Sequence, residues 1–224
     1  MRTNTGKENY MRLIREDLLL YAVTDKRWLD GETLYSQVEK ALKGGVTFVQ
    51  LREKQLDEER FLEEALEIGR LCRSYGVPFV INDNVAIAAK SDADGVHVGQ
   101  DDMDVGSVRA LLGPDKIIGV SVHTVEEALA AEAGGADYLG TGSAFSTGTK
   151  KDARLLPDGM LHDICGAVKI PVIAIGGIEK DNMHKLQGNG LSGIAVVHAI
   201  FGQPDITGSC RELKEQVKRI VWEV

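Results

Sequence analysis

Polar and charged residues in this chain collect immediately after short apolar runs. Val46-Thr47-Phe48-Val49 leads into Gln50-Leu51-Arg52-Glu53-Lys54, Phe79-Val80-Ile81 into Asn82-Asp83, and Gly95-Val96-His97-Val98 into Gly99-Gln100-Asp101-Asp102. Ile117-Ile118-Gly119-Val120 leads into Ser121-Val122-His123, Asp137-Tyr138-Leu139 into a Gly/Thr/Ser segment closing with Thr149-Lys150, and Val172-Ile173-Ala174-Ile175 into Gly176-Gly177. Arg52 and Lys54 offer cations to an anionic ligand. Asp83 and Asp102 suit a Mg2+ ion bridging to phosphate oxygens, because Mg2+ takes one or two protein carboxylates and fills its shell with substrate phosphates and water. Thr147, Thr149 and Lys150 offer hydroxyls, amides and an ammonium to a second anion. The Gly176-Gly177 pair offers backbone N–H groups of the kind that hold phosphate.

Each of these residues also has a plainer role. Arg52 can close an internal ion pair with Glu53 or a nearby Asp. A single Asp at such a position is most often a helix cap. A Gly pair also makes an ordinary tight turn, and a Thr- and Lys-rich loop is ordinarily solvated surface. His123 has the residue type of an acid or base, but a lone His is more often structural; His162 and His184 fall in helical patterns and receive no role. What favours chemistry is the shared position at strand ends. No Ser/His/Asp or Cys/His set has that placement, and no His/Cys zinc spacing occurs.

The elements that would hold these residues follow from periodicity. Eight apolar runs (18–23, 46–51, 78–81, 95–98, 117–120, 137–139, 171–175 and 193–197) have the β-branched content and Gly/Pro boundaries of strands. Between them, Leu34/Val38/Ala41/Leu42, Phe61/Leu62/Ala65/Leu66/Ile68/Leu71 and Val125/Ala128/Leu129/Ala133 follow helical spacing and end at Gly44, Gly76 and Gly134. Thr124 with Glu127 resembles a capping box. Strand then helix, eight times in one domain, predicts a (β/α)8 TIM barrel, whose chemistry sits at the C-terminal strand ends. If Val49 and Leu51 face the helices, then Gln50 and Arg52 face the barrel axis, and so does His97 between Val96 and Val98. Residues 1–17 form a charged N-terminal extension and 18–224 the catalytic barrel. Residues 141–157 are the longest irregular stretch, a candidate lid.

Composition limits the partners. At 224 residues with 43% hydrophobic content, the chain can bury one full core. A net charge of −8 argues against a nucleic-acid surface. Cys72, Cys165 and Cys210 are too few and too scattered for a disulfide framework, which points to a reducing compartment. Neither a secretory leader nor a membrane-length run stands out. The expectation is a soluble cytoplasmic enzyme with small-molecule partners, no nucleic acid and no membrane; homo-oligomerisation stays open.

The combined motifs resemble the thiamine-phosphate synthase (thiamin phosphate pyrophosphorylase) family. The resemblance runs from Tyr21-Ala22-Val23-Thr24-Asp25 to Val196-Val197-His198-Ala199-Ile200 through the strand-end segments above, including Asp101-Asp102-Met103, Gly135-Ala136-Asp137-Tyr138, Thr147-Gly148-Thr149-Lys150 and Gly176-Gly177-Ile178. It implies a barrel that joins a hydroxymethylpyrimidine diphosphate to a hydroxyethylthiazole phosphate. It further implies that Gln50, Arg52, Lys54 and Asn82 bind the pyrimidine diphosphate, that Asp83 and Asp102 ligate Mg2+, and that Ser121 and Lys150 contact the diphosphate. Arg52, Lys54, Ser121 and Lys150 are then the catalytic set. Thr147, Gly148, Thr149, Gly177, Val197 and His198 would hold the thiazole phosphate. Two positions depart from the family pattern: Ser143 stands where Pro is usual, and His198 where Ser is usual. The alternatives are a related thiazole tautomerase using His123, which should not need the Arg52/Lys54/Asp83/Asp102 set, and a non-catalytic thiazole-phosphate binding protein.

Overall fold

The computed structural model describes residues 13–148 and 154–222. Eight parallel strands close on themselves in chain order: β1 Leu20–Val23, β2 Phe48–Leu51, β3 Phe79–Asn82, β4 Gly95–Val98, β5 Ile117–Val122, β6 Tyr138–Thr141, β7 Val172–Ile175 and β8 Gly193–Val196. β8 pairs back onto β1 through Leu20–Ile194 and Ala22–Val196, so the sheet is closed and has no edge. The helices are α1 Leu34–Lys43, α2 Glu58–Tyr75, α3 Val85–Lys90, α4 Val105–Leu112, α5 Val125–Ala133, α6 Met160–Ala167, α7 His198–Phe201 and α8 Ile206–Trp222. After β7 the expected helix is only a 3-10 segment, Met183–Leu186. Gly188 and Gly190, both at positive φ, break the chain before a longer helix can form.

Alternation along the strands separates two cores. Val49 and Leu51 join the large layer between barrel and helices, where α2 contributes Phe61, Ala65, Ile68, Leu71 and Cys72. Phe48, Tyr21, Val80, Ile117, Tyr138, Ile173 and Ala195 fill the barrel axis. Burying a side chain such as Ile68 contributes about 2–3 kcal/mol.

The first apolar run divides rather than forming one strand. Residues Arg15–Leu18 make a 3-10 turn, and β1 starts at Leu20. Leu18 plugs the axis from below, while Arg15 donates to the carbonyls of Leu191 (2.8 Å) and Gly190 (3.3 Å) just before β8. The rest of the N-terminal extension, residues 1–12, lies outside the described residues.

Candidate active site

The C-terminal ends of β2, β3 and β4 open onto a cavity of about 610 Å³, whose lining includes Glu53, Lys54, Asn82, Asp83 and Asp102. β3 delivers Asn82 as its last residue and Asp83 as the next, and the backbone turns there through a left-handed Asp83, φ 62°. Asp and Asn tolerate that region better than other L-residues. Helix capping does not account for either carboxylate. The N-cap of α3 is Asn84, accepting from Ile87 N at 2.9 Å, and the N-cap of α4 is Asp104, accepting from Ser107 N at 3.0 Å. Asp83 instead pairs with Lys54 Nζ at 2.5 Å, and Asp102 Oδ2 accepts from Gly99 N at 2.7 Å.

Arg52 meets a nearby Asp rather than Glu53. Its guanidinium lies 3.8 Å from Asp25, at the end of β1, and its amide donates to Thr24 Oγ1. Glu53 turns away, accepting from the amides of Lys54 and Gln55 and pairing with Lys26 at 2.6 Å. Lys26 also binds Glu64 of α2 at 2.8 Å. Burial opposes ionisation of Asp25, but the Arg27 hydrogen bonds and the Arg27 and Arg52 charges outweigh it and hold its carboxyl below the usual range. Asp25, Lys26 and Arg27 stand directly beyond β1, and their signal in the sequence is Thr24-Asp25 at the end of that apolar run.

The other strand ends form a second half of the mouth. Gln50 and Ser121 do not line the cavity; they point toward the axis and meet Tyr21 and His97 there. The loop after β6 is held rather than loose in its described parts. Ser143 N donates to Arg154 O, Leu156 N to Ser143 O, Ala144 N to Ile175 O and Phe145 N to Gly176 O. Gly177, φ 63°, is required by that packing: a Cβ there would lie 2.3 Å from Ser146 O. These bonds tie both described ends of 141–157 to one another and to the end of β7. Thr147 and Gly148 continue this loop, and Arg27 donates to Gly148 O at 3.4 Å. Thr149 and Lys150 lie outside the described residues.

Val197 packs on the axial core and precedes α7, which His198 opens. His198 Nδ1 lies 2.7 Å from Glu179 Oε1, and its ring meets Trp28 edge-on with centroids 4.8 Å apart. His123 is tied to Glu127, which accepts from its amide at 2.6 Å and approaches its ring at 3.3 Å. Thr124 caps α5 as expected, but the Glu127 carboxylate reaches back to His123 N instead of Thr124 N.

The arrangement suits an anion met by cations and carboxylate-bound metal. Among the described residues no three His, Cys, Asp or Glu side chains cluster to hold a metal by themselves. Asp83 and Asp102, uncommitted to caps and facing one cavity, match an ion that depends on substrate oxygens for the rest of its shell. Lys54 already sets a positive charge on Asp83.

Residues 20–200 match a family described as thiamine monophosphate synthase. The thiamine-phosphate synthase of Clostridium acetobutylicum is 46% identical over 203 residues, 91% of this chain and 96% of that protein. The thiamine-phosphate synthase of Caldanaerobacter subterraneus subsp. tengcongensis is 45% identical over 93% of this chain and 98% of its own length. A solved thiamine phosphate pyrophosphorylase from Pyrococcus furiosus has a TM-score of 0.85 at 40% identity, covering 92% of this chain and 98% of that one.

Proposed function

The chain belongs to the thiamine monophosphate synthase family, and on that premise we propose that it is a transferase joining 4-amino-2-methyl-5-(diphosphooxymethyl)pyrimidine to hydroxyethylthiazole phosphate, giving thiamine phosphate and pyrophosphate. The observation carrying the site assignment is that Lys54, Asp83 and Asp102 share one cavity at the C-terminal strand ends. Arg52, Lys54, Ser121 and Lys150 receive the diphosphate, and Gln50 and Asn82 orient the pyrimidine. Asp83 and Asp102 hold Mg2+, which when bound neutralises charge on the departing diphosphate. Lys54 exchanges Asp83 for a diphosphate oxygen as the substrate enters. The C–O bond to the diphosphate then breaks, and the ring amino group delocalises the methylene cation. The thiazole nitrogen attacks that cation; it carries no proton, so no general base is needed. Thr147, Gly148, Thr149, Gly177, Val197 and His198 hold the thiazole phosphate. Catalysis is electrostatic, with water excluded from the cation.

Among the described residues no helix is long and apolar enough to cross a membrane. Three free thiols fit a cytoplasmic setting.

The test is pyrophosphate release with both substrates and Mg2+, omitting each in turn. Release that requires all three, with one thiamine phosphate per pyrophosphate, is expected. Release without thiazole phosphate, or none despite saturable binding of it, would overturn the assignment.

A further inference from the structure

A chain of polar groups crosses the barrel axis beneath the mouth. Gln50 Nε2 donates to Tyr21 Oη at 2.7 Å. The Tyr21 and Tyr138 hydroxyls are 2.8 Å apart. Tyr138 Oη lies 2.9 Å from His97 Nδ1, and His97 Nε2 lies 2.9 Å from Ser121 Oγ. The path runs from β2 through β1, β6 and β4 to β5. Gln50, Tyr21, Tyr138 and His97 are all buried.

The barrel makes room for this chain. A Cβ on Gly119 would lie 2.3 Å from Tyr138 Oη and 2.5 Å from His97 Nδ1, and one on Gly140 would lie 3.1 Å from His97 Cε1. Two strand glycines therefore keep the space that the His97–Tyr138 contact occupies.

Giving every buried proton of the chain an acceptor leaves one direction. A carboxamide N–H can only donate, and a tyrosine hydroxyl has a single proton. Tyr21 accepts from Gln50, and the partner left for its own proton is the Tyr138 hydroxyl. Tyr138 then donates to His97 Nδ1. An Nδ1 that accepts from Tyr138 carries no proton, so the buried ring is neutral and has one proton. Burial raises both tyrosines, which keep their protons. With Nδ1 accepting, the imidazole proton sits on Nε2 and is donated to Ser121 Oγ. Ser121 is left with an O–H to offer outward, and Gln50 with its C=O and its second N–H.

We propose that Tyr21, Tyr138 and His97 are positioning residues that fix the polarity of the mouth, presenting Ser121 as a hydrogen-bond donor and Gln50 as an acceptor. Resting on the reaction proposed above, this matches Ser121 to a diphosphate oxygen and Gln50 to an N–H donor on the pyrimidine.

The test reads the His97 tautomer in ligand-free protein by two-bond 15N–1H correlation near pH 7, with the resonance assigned from a His97→Gln spectrum. The wild type should show a single neutral tautomer protonated at Nε2. Tyr21→Phe, which removes one oxygen and cuts Gln50 off, should give a mixture of both tautomers and a KM for the pyrimidine diphosphate raised about fivefold at nearly unchanged kcat. Thermal unfolding of the variant checks that the barrel persists. A wild-type ring protonated at Nδ1, or a mixture in the wild type, overturns the proposal, as does a Tyr21→Phe protein with a pure Nε2 tautomer or an unchanged KM. The wild-type spectrum needs neither variant folding nor turnover, so a failed pyrophosphate assay would remove the reaction without deciding the tautomer.

Discussion

Asp83→Asn separates the electrostatics of the site from its backbone. Asp83 sits at φ 62°, where an ordinary L-residue is strained by about 1–2 kcal/mol but Asn is as well tolerated as Asp. Its amide, which donates to His97 O at 2.8 Å, is untouched by the substitution. What is lost is the ion pair with Lys54. The two side chains are 54% and 29% exposed, and pairs so solvated contribute about 0–1 kcal/mol. The stability loss should therefore stay below about 1 kcal/mol. Turnover should fall by about 10²–10³, because a group that brings positive charge to a leaving diphosphate acts at about 2.7–4 kcal/mol of barrier. Urea unfolding gives the first number, and initial rates of pyrophosphate release at saturating Mg2+ give the second. Activity within about fivefold of wild type would refute the assignment of Asp83 to metal and diphosphate. A loss of stability above about 3 kcal/mol would show instead that the carboxylate is structural.

The neighbouring caps supply the contrasting case: Asp104→Ala should cost about 1 kcal/mol in urea unfolding while leaving turnover near wild type, and a hundredfold loss of activity would place Asp104 in the site. His97 makes stability depend on pH. Its folded pKa of about 4 lies below the roughly 6.5 of the unfolded chain, so the unfolded state binds more protons between those values and stability falls as pH drops from about 6.5 to 4. The full loss is about 3 kcal/mol, and His97→Gln should flatten that slope in urea titrations at pH 7 and 5; an unchanged slope would show that other groups carry it. His198→Ser should lower the KM for thiazole phosphate about threefold, a factor worth under about 1 kcal/mol, if the imidazole held by Glu179 crowds the subsite; an unchanged or higher KM counts against crowding.

The barrel was legible because strand alternation and helix periodicity are local. Val49 and Leu51 had to face outward if Gln50 faced inward, and they do. Strand ends therefore named Lys54, Asn82, Asp83 and Asp102 together, and the cavity gathers them. What the sequence left open was partner choice across distant segments. Arg52 meets a nearby Asp, one of the two expected pairings, but only the pairing of β1 with β2 shows that the Asp is Asp25, just beyond β1, and not Glu53 next in the chain. Whether Asp83 and Asp102 were caps could not be read from composition, because in each case a better-placed cap follows one or two residues later, at Asn84 and Asp104.

The axial hydrogen-bond chain was the least legible feature, and the reason is physical. Tyr21 and Tyr138 lie in apolar runs and bury their rings against Phe48, as core aromatics do. Only their hydroxyls depart from that role, and a buried hydroxyl needs a partner whose identity depends on which strands face each other across the axis. Four side chains from four strands meet Ser121 on a fifth only after the barrel closes. A donor and an acceptor at the mouth are thus tied to one another through the core, so a substitution at Tyr21 should be felt at Ser121 although the two are not in contact along the chain of hydrogen bonds except through Tyr138 and His97. That coupling is what distinguishes a polar core built for the site from one merely tolerated by it.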